Sequence, residues 1–311
     1  MIERFNFYDI YGYLLPGTLL FGLFWIPFGL TLGLPSKEIS STLLLLVLAY
    51  IAGHVLQTVA LVVVPSRVRD PKGNLRAPSN ILLDADDPKF NEDFKTDLTD
   101  KLKKAFNKKS LAEDSGRTDA FFQARAYLIR NKASSYVEQF EALYAMMRGL
   151  GCAFLVGFAY LAGWTVSFHW KVQGVGLAMW CVLAASIGGA IVATGVNKYI
   201  AEHPATDKDE RKTLQERDLD ATSFLALCGL LFAAGMGYFL GTWKPAPARM
   251  EFFLWTALPV AWIAAMRCLQ AYRNFAESFA ETVWRDFAGL YGDDSAPKPG
   301  DDPKKNGAHA A

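Results

Sequence analysis

Long apolar runs separated by charged stretches constrain this chain more than any other feature. The first extends from about Tyr11 to Leu34, with no charge between Asp9 and Lys37, and the second, TLLLLVLAYIAGHVLQTVALVVV, covers Thr42–Val64 and stops at Pro65. Inside hydrocarbon a backbone must satisfy its own N–H and C=O groups, so runs of this length fold as helices across a bilayer core of about 30 Å. Further runs occur at about Gly149–Phe168, Val175–Val196, Ser223–Trp243 and Phe252–Leu269. The first run does not read as a cleaved leader, because Glu3 offsets Arg4, no cleavage site appears and the apolar stretch is too long for a signal core. The pattern predicts an all-α polytopic membrane protein with about six transmembrane helices and a helical cytoplasmic insert.

Hydrophobic residues make up 52% of the chain and charged ones 20%, with a formal net charge of +1. Both fractions fit one protein only if charge is segregated along the sequence. The resulting layout is transmembrane helices one and two in 1–66, a cytoplasmic insert in 67–147, helices three and four in 148–197, and a charged insert in 198–221. Helices five and six with an amphipathic helix occupy 222–292, and a disordered tail, rich in Pro, Gly and charge, fills 293–311. Basic residues crowd one side of the spans: Arg67, Arg69, Lys72, Arg76, Arg148, Lys198, Arg267 and Arg273. That bias and the even span count predict both termini in the cytoplasm.

Within the insert, Asp87 reads as a helix cap with Pro88 at the first helical position, followed by Phe90, Phe94, Leu98, Leu102 and Phe106 at four-residue spacing. A second helical pattern, Ala120–Met147, runs into the third span. Two amphipathic helices packed on each other satisfy both stripes. The first ends in the densest cationic patch of the chain, Lys101, Lys103, Lys104, Lys108 and Lys109. Lysines there complement a helix dipole, and the same cluster suits anionic lipid headgroups or the phosphates of a nucleotide or short single-stranded DNA. Arg67, Arg69, Arg267 and Arg273 form a second, juxtamembrane choice for such a ligand, and Phe106 is placed either to stack a base or to join the core.

Nothing in the sequence reads as an enzyme. Glycine-rich phosphate loops are absent, the histidines lack zinc-helix spacing, and Cys152, Cys181, Cys228 and Cys268 lie in or beside apolar runs as buried thiols, so neither a metal nor a cofactor is expected. Polar residues inside the spans carry more information. His54 and Gln57 lie three apart on the second span, suiting either an interhelical hydrogen bond or a pore wall. In the fifth span Gly229, Ala233, Gly237 and Gly241 form a small-residue stripe, a contact surface for a helix of the same chain or of a neighbour. Asp9 stands at the mouth of the first span, where a carboxylate caps the helix through the amides of Tyr11 or Gly12, or rings a vestibule that favours cations. Pro16-Gly17 should kink that helix as it enters the bilayer.

FYDIYGYLLPG at the amino terminus, IAGHVLQ in the second span and FEALYAMMRGL entering the third together resemble the membrane effector subunits of the Hailong anti-phage defence systems and related small bacterial membrane proteins with a YDxxGYLxPG start. The resemblance implies a homo-oligomeric, tetrameric ion channel held closed by a single-stranded oligodeoxynucleotide from a partner nucleotidyltransferase, and opened to depolarise the infected cell. Two readings compete with it. One is a membrane scaffold or accessory subunit that recruits a cytoplasmic enzyme; the other is a secondary transporter, disfavoured because no repeat relates the two halves of the chain.

Overall fold

The computed structural model describes residues 8–32, 39–64, 68–70, 75–106, 111–131, 134–169, 224, 227–242 and 248–291. The fourth apolar run, the charged insert of 198–221, the tail, Arg67, Lys108, Lys109 and the Arg69 side chain therefore lie outside the described residues. The regular secondary structure described is helical apart from a two-residue antiparallel ladder, β1 (Val68–Arg69) on β2 (Leu75–Arg76). A π-helical turn, Asp9–Leu14, leads into α1 (Leu15–Leu32), followed by α2 (Ile39–Val63). Next come a short α3 (Pro78–Ile81), α4 (Glu92–Phe106), α5 (Asp114–Arg130) and α6 (Ser135–His169). An apolar helix α7 (Leu227–Thr242) and a 44-residue α8 (Ala248–Tyr291) complete the order.

Four of these helices are long and apolar enough to cross a membrane: the Asp9–Leu14 turn with α1, then α2, α6 and α8. The 25 residues of α2 extend about 37 Å at 1.5 Å per residue. Leu43–Leu48 and Ile51 on α2, and Phe252, Phe253, Trp255, Val260 and Ile263 on α8, are exposed large apolar side chains. A surface of that kind is stable against lipid and not against water. The architecture is that of a membrane protein.

The chain divides into two compact units, the described residues of Met1–Pro65 with Ala145–Tyr272 and those of Ser66–Tyr144 with Arg273–Ala311. In the first, Leu23 of α1, Tyr160, Leu161 and Trp164 of α6, Ala233 of α7 and Leu254 of α8 share one core cluster. Leu56 and Ala60 of α2 share another with Cys152 and Ala153 of α6.

The second unit has its own core, and the α4 stripe is part of it. Phe90, Leu98 and Leu102 are buried there, with Phe94 and Phe106 packed against them. The helix starts later than Asp87-Pro88 predicts. Asp87 accepts a hydrogen bond from the Lys89 amide in a turn, and Asn91 caps α4 by accepting from the Phe94 amide at 2.8 Å. The pattern across Ala120–Met147 is also two helices and not one. After α5 the chain turns at Asn131, and Ser134 starts α6 by accepting from the Val137 amide. The larger departure is the carboxyl-terminal half of α8, which joins the insert's core where the sequence reading groups it with the spans. Val283, Trp284 and Phe287 are fully buried, and the Trp284 indole N–H donates to the Ser79 carbonyl at 3.0 Å.

An ion-pair network holds the β-ladder to α5 in this unit. The Arg76 guanidinium grips Asp114 through Nε and Nη2, at 2.7 and 2.6 Å, and also pairs with Asp84; Arg117 joins Asp84 and the Asn80 carbonyl. Burial alone would raise the Asp84 carboxyl, but hydrogen bonds from Arg76 and Arg117 outweigh it and hold the group below the usual carboxylate range.

Candidate functional site

Gln57 is the centre of a junction in the first unit that unites the residues singled out at the amino terminus, in the second span and at the entry to the third. Pro16 has no N–H, so the Gly12 carbonyl four residues earlier loses its normal helical donor, and the wide π-helical turn before α1 accommodates the proline ring. Gln57 Nε2 fills that vacancy, donating to Gly12 O at 2.7 Å and to Ala145 O of α6 at 2.7 Å. Its Oε1 in turn accepts from Arg148 Nη2 at 3.0 Å and Nε at 3.3 Å. Gln57 and Arg148 are each only 4% exposed.

Close backbone approach makes this geometry possible, and three glycines permit it. A Cβ on Gly17 would collide with the Ala49 carbonyl, and one on Gly53 with the Tyr13 carbonyl, so α1 and α2 touch through reciprocal small-residue seats. A Cβ on Gly149 would lie 2.6 Å from Gln57 Nε2 and 2.8 Å from Pro16 Cγ. Association of this kind replaces the hydrophobic drive that lipid does not provide between helices.

Around the junction lies a cluster of rings. Tyr13 stacks on His54 with centroids 3.7 Å apart, and Tyr50 meets His54 edge-on at 4.6 Å. The Tyr50 hydroxyl donates to Asp9 Oδ1 at 3.3 Å. Asp9 therefore lies inside the helical turn and accepts from α2, where the sequence suggested a cap preceding the first helix. His54 and Gln57 diverge although they are three apart: Gln57 is buried in the junction, and His54 is exposed on the flank of α2.

The cationic candidates differ in their surroundings. Lys101 Nζ donates to Asp97 Oδ2 at 2.7 Å and to the Ala288 carbonyl of α8 at 2.9 Å, and Lys103 pairs with Asp100 at 3.3 Å. Lys104 is exposed, as are Arg267 and Arg273 on α8. Phe106 stacks on Phe287 at 5.4 Å, inside the core of the second unit.

The small-residue stripe of α7 splits in two. A Cβ on Gly237 would meet the Tyr160 carbonyl and one on Gly241 the Ser167 hydroxyl, both on α6, while α6 reciprocates with Gly163 against the Ala234 carbonyl. Gly229 has nothing within 4 Å of its Cβ position. Gly237 and Gly241 thus pack within the chain, and Gly229 does not belong to that contact.

Sequence reasoning missed Arg148, taking it for a charge flanking the third span. Its neighbours were the available signal: an arginine inside Met146-Met147-Arg148-Gly149-Leu150 has an apolar setting and an adjacent glycine that admits a partner. No grouping of His, Cys, Asp and Glu among the described residues is arranged to hold a metal ion. No protein-family model, curated protein or solved structure matches the chain.

Proposed function

We propose that the chain is a subunit of a homo-oligomeric, tetrameric membrane channel that serves as an anti-phage effector, closed by a nucleotide or short single-stranded DNA and opened to depolarise the infected cell. In this reading six spans cross the bacterial inner membrane with both termini in the cytoplasm, the unit built on the insert is the cytoplasmic sensor, and a nucleotidyltransferase makes the ligand. The observation that carries it is the sharing of helices: α6 and α8 each contribute one stretch to the unit containing α1 and α2 and another to the unit containing α4 and α5. A ligand that shifts the second core therefore acts on helices that continue as spans.

The test is a conductance trace from purified protein in a planar bilayer, with and without short oligodeoxyadenylate. Current that the oligonucleotide suppresses supports the reading, and a silent bilayer at all ligand concentrations refutes it. Replacing Lys101, Lys103 and Lys104 with Gln should weaken DNA binding and flatten its salt dependence, each lost single-strand phosphate contact removing about 0.7 from the log-log slope. One observation favours the rival scaffold, in which the second unit recruits a cytoplasmic enzyme: Lys101 and Lys103 already have carboxylate partners on α4. An intact salt slope in the triple variant, in a protein that does not conduct, selects the scaffold.

A further inference from the structure

Beyond the junction, α2 exposes mostly apolar side chains and, among them, a short polar row. Ile51 and Val55, 54% and 60% exposed, lie on an apolar face continuous with Leu44 and Leu48 and suited to lipid. The adjacent flank carries Tyr50, His54 and Thr58, spaced four apart and so aligned along one side of the helix, with the exposed Leu43, Val47 and Leu61 interleaved among them. His54 and Thr58 are exposed there, and Asp9 reaches the same flank through its bond from Tyr50. Among the described residues the His54 ring makes aromatic contacts and its nitrogens have no hydrogen-bond partner.

An exposed imidazole in a span of this hydropathy does not face acyl chains, where nothing satisfies its N–H, and a carboxylate on the same flank would be costlier still. A packed neighbouring helix fits poorly, because membrane helices associate through small residues. The small residues of α2 are already used: Ala49 and Gly53 seat α1, and Ala60 is buried in the core with α6. The flank itself presents bulky rings. We infer that the Tyr50–His54–Thr58 flank of α2, with Asp9, faces water within the membrane and forms a wall of the aqueous path. This rests on the channel reading for the purpose of the path, but the hydration of the flank is measured independently of current.

The experiment places single cysteines at His54, Thr58, Ile51 and Val55 in the full chain with Cys181 and Cys268 replaced by Ser, in native membrane vesicles, and follows their reaction with N-ethylmaleimide as mass added over that parent, whose remaining Cys152 and Cys228 are buried. The reagent crosses membranes, so a closed gate does not mask the result; it attacks thiolate, which forms only where water reaches. Thr58→Cys and His54→Cys should react about tenfold or more faster than Ile51→Cys and Val55→Cys, consistent with thiolate chemistry requiring hydration. Thr58→Cys is the decisive variant, since its hydroxyl only bonds back to the His54 carbonyl and its loss leaves the ring stack intact. Equal rates at all four positions, or faster reaction at 51 and 55, overturn the inference. Fast labelling at 54 and 58 without current sinks the channel and keeps the hydrated flank, whereas current with slow labelling does the reverse.

Discussion

Replacing Gln57 with Leu removes one side chain of similar volume and four hydrogen bonds with it. The four losses are unequal. Ala145 O lies within α6, where the helix ladder offers it another donor, so its loss is small. Gly12 O lacks the α-helical i+4 donor, because Pro16 has no N–H, and a buried carbonyl left unsatisfied costs about 1–3 kcal/mol. Arg148 loses its Gln57 acceptor in a buried site; hydrogen bonds to charged groups contribute about 1.5–3 kcal/mol, although bonds between membrane helices average nearer 0.6. Taken together, Gln57→Leu should cost about 2–4 kcal/mol and lower the midpoint by roughly 5–15 °C, at about 2–4 °C per kcal/mol for a chain of this size. The assay is recovery of monodisperse protein by size-exclusion chromatography after heating in detergent. A second variant separates the carbonyl term from the arginine term. Pro16→Ala restores an N–H that can reach Gly12 O, so in the Gln57→Leu background it should recover part of the loss, whereas independent sites would give additive changes. A midpoint for Gln57→Leu within about 1 °C of the parent, or strict additivity of the pair, refutes the reasoning.

Glycine substitutions on α7 should separate by contact: Gly237→Leu drives a side chain into the Tyr160 carbonyl and should prevent accumulation in the membrane, while Gly229→Leu should accumulate normally, both read by quantitative immunoblot of the membrane fraction. The core of the second unit should be acid-sensitive. Because the folded-state Asp84 carboxyl is held below its ordinary value of about 3.9, the stability it contributes is present above that value and is lost as pH falls through the lower folded-state one. Asp84→Asn should flatten that acid limb in thermal melts at graded pH, and an unchanged limb would assign the sensitivity to another carboxylate.

Four of the spans and the amphipathic stripe of α4 were legible because the first are set by the length of an apolar run and the second by local periodicity. Phe90, Leu98 and Leu102 repeat at helical spacing, and the structure buries all three. Boundaries were less so, since they depend on which of several cap residues wins. Asn91 captures the start of α4 three residues after Pro88, and Ser134 interrupts a pattern whose apolar positions alone would continue. The docking of Arg273–Tyr291 into the insert's core was not legible at all. It joins residues as distant in sequence as Ser79 and Trp284, and periodicity specifies which face of α8 is apolar but not what covers it.

At the junction, the residue types were visible and their division of labour was not. Pro16 reads as a kink, Gln57 as a polar residue seeking a partner and Arg148 as a flanking charge, each a sound inference from its own neighbourhood. Their meaning lies in the sum: a proline that frees a carbonyl, an amide that needs an acceptor on one end and a donor on the other, and a guanidinium that donates only. Gln57 is the one side chain of the three with both functions, so it can stand between Gly12 and Arg148, and Glu in its place could satisfy only the arginine. Gln57→Glu therefore should keep the Arg148 contact, as an ion pair, and still orphan the Gly12 carbonyl. If Pro16→Ala rescues Gln57→Glu as it rescues Gln57→Leu, in the same melting assay, the proline and the glutamine are two halves of one device; if rescue is confined to Leu, the arginine dominates and the proline is incidental.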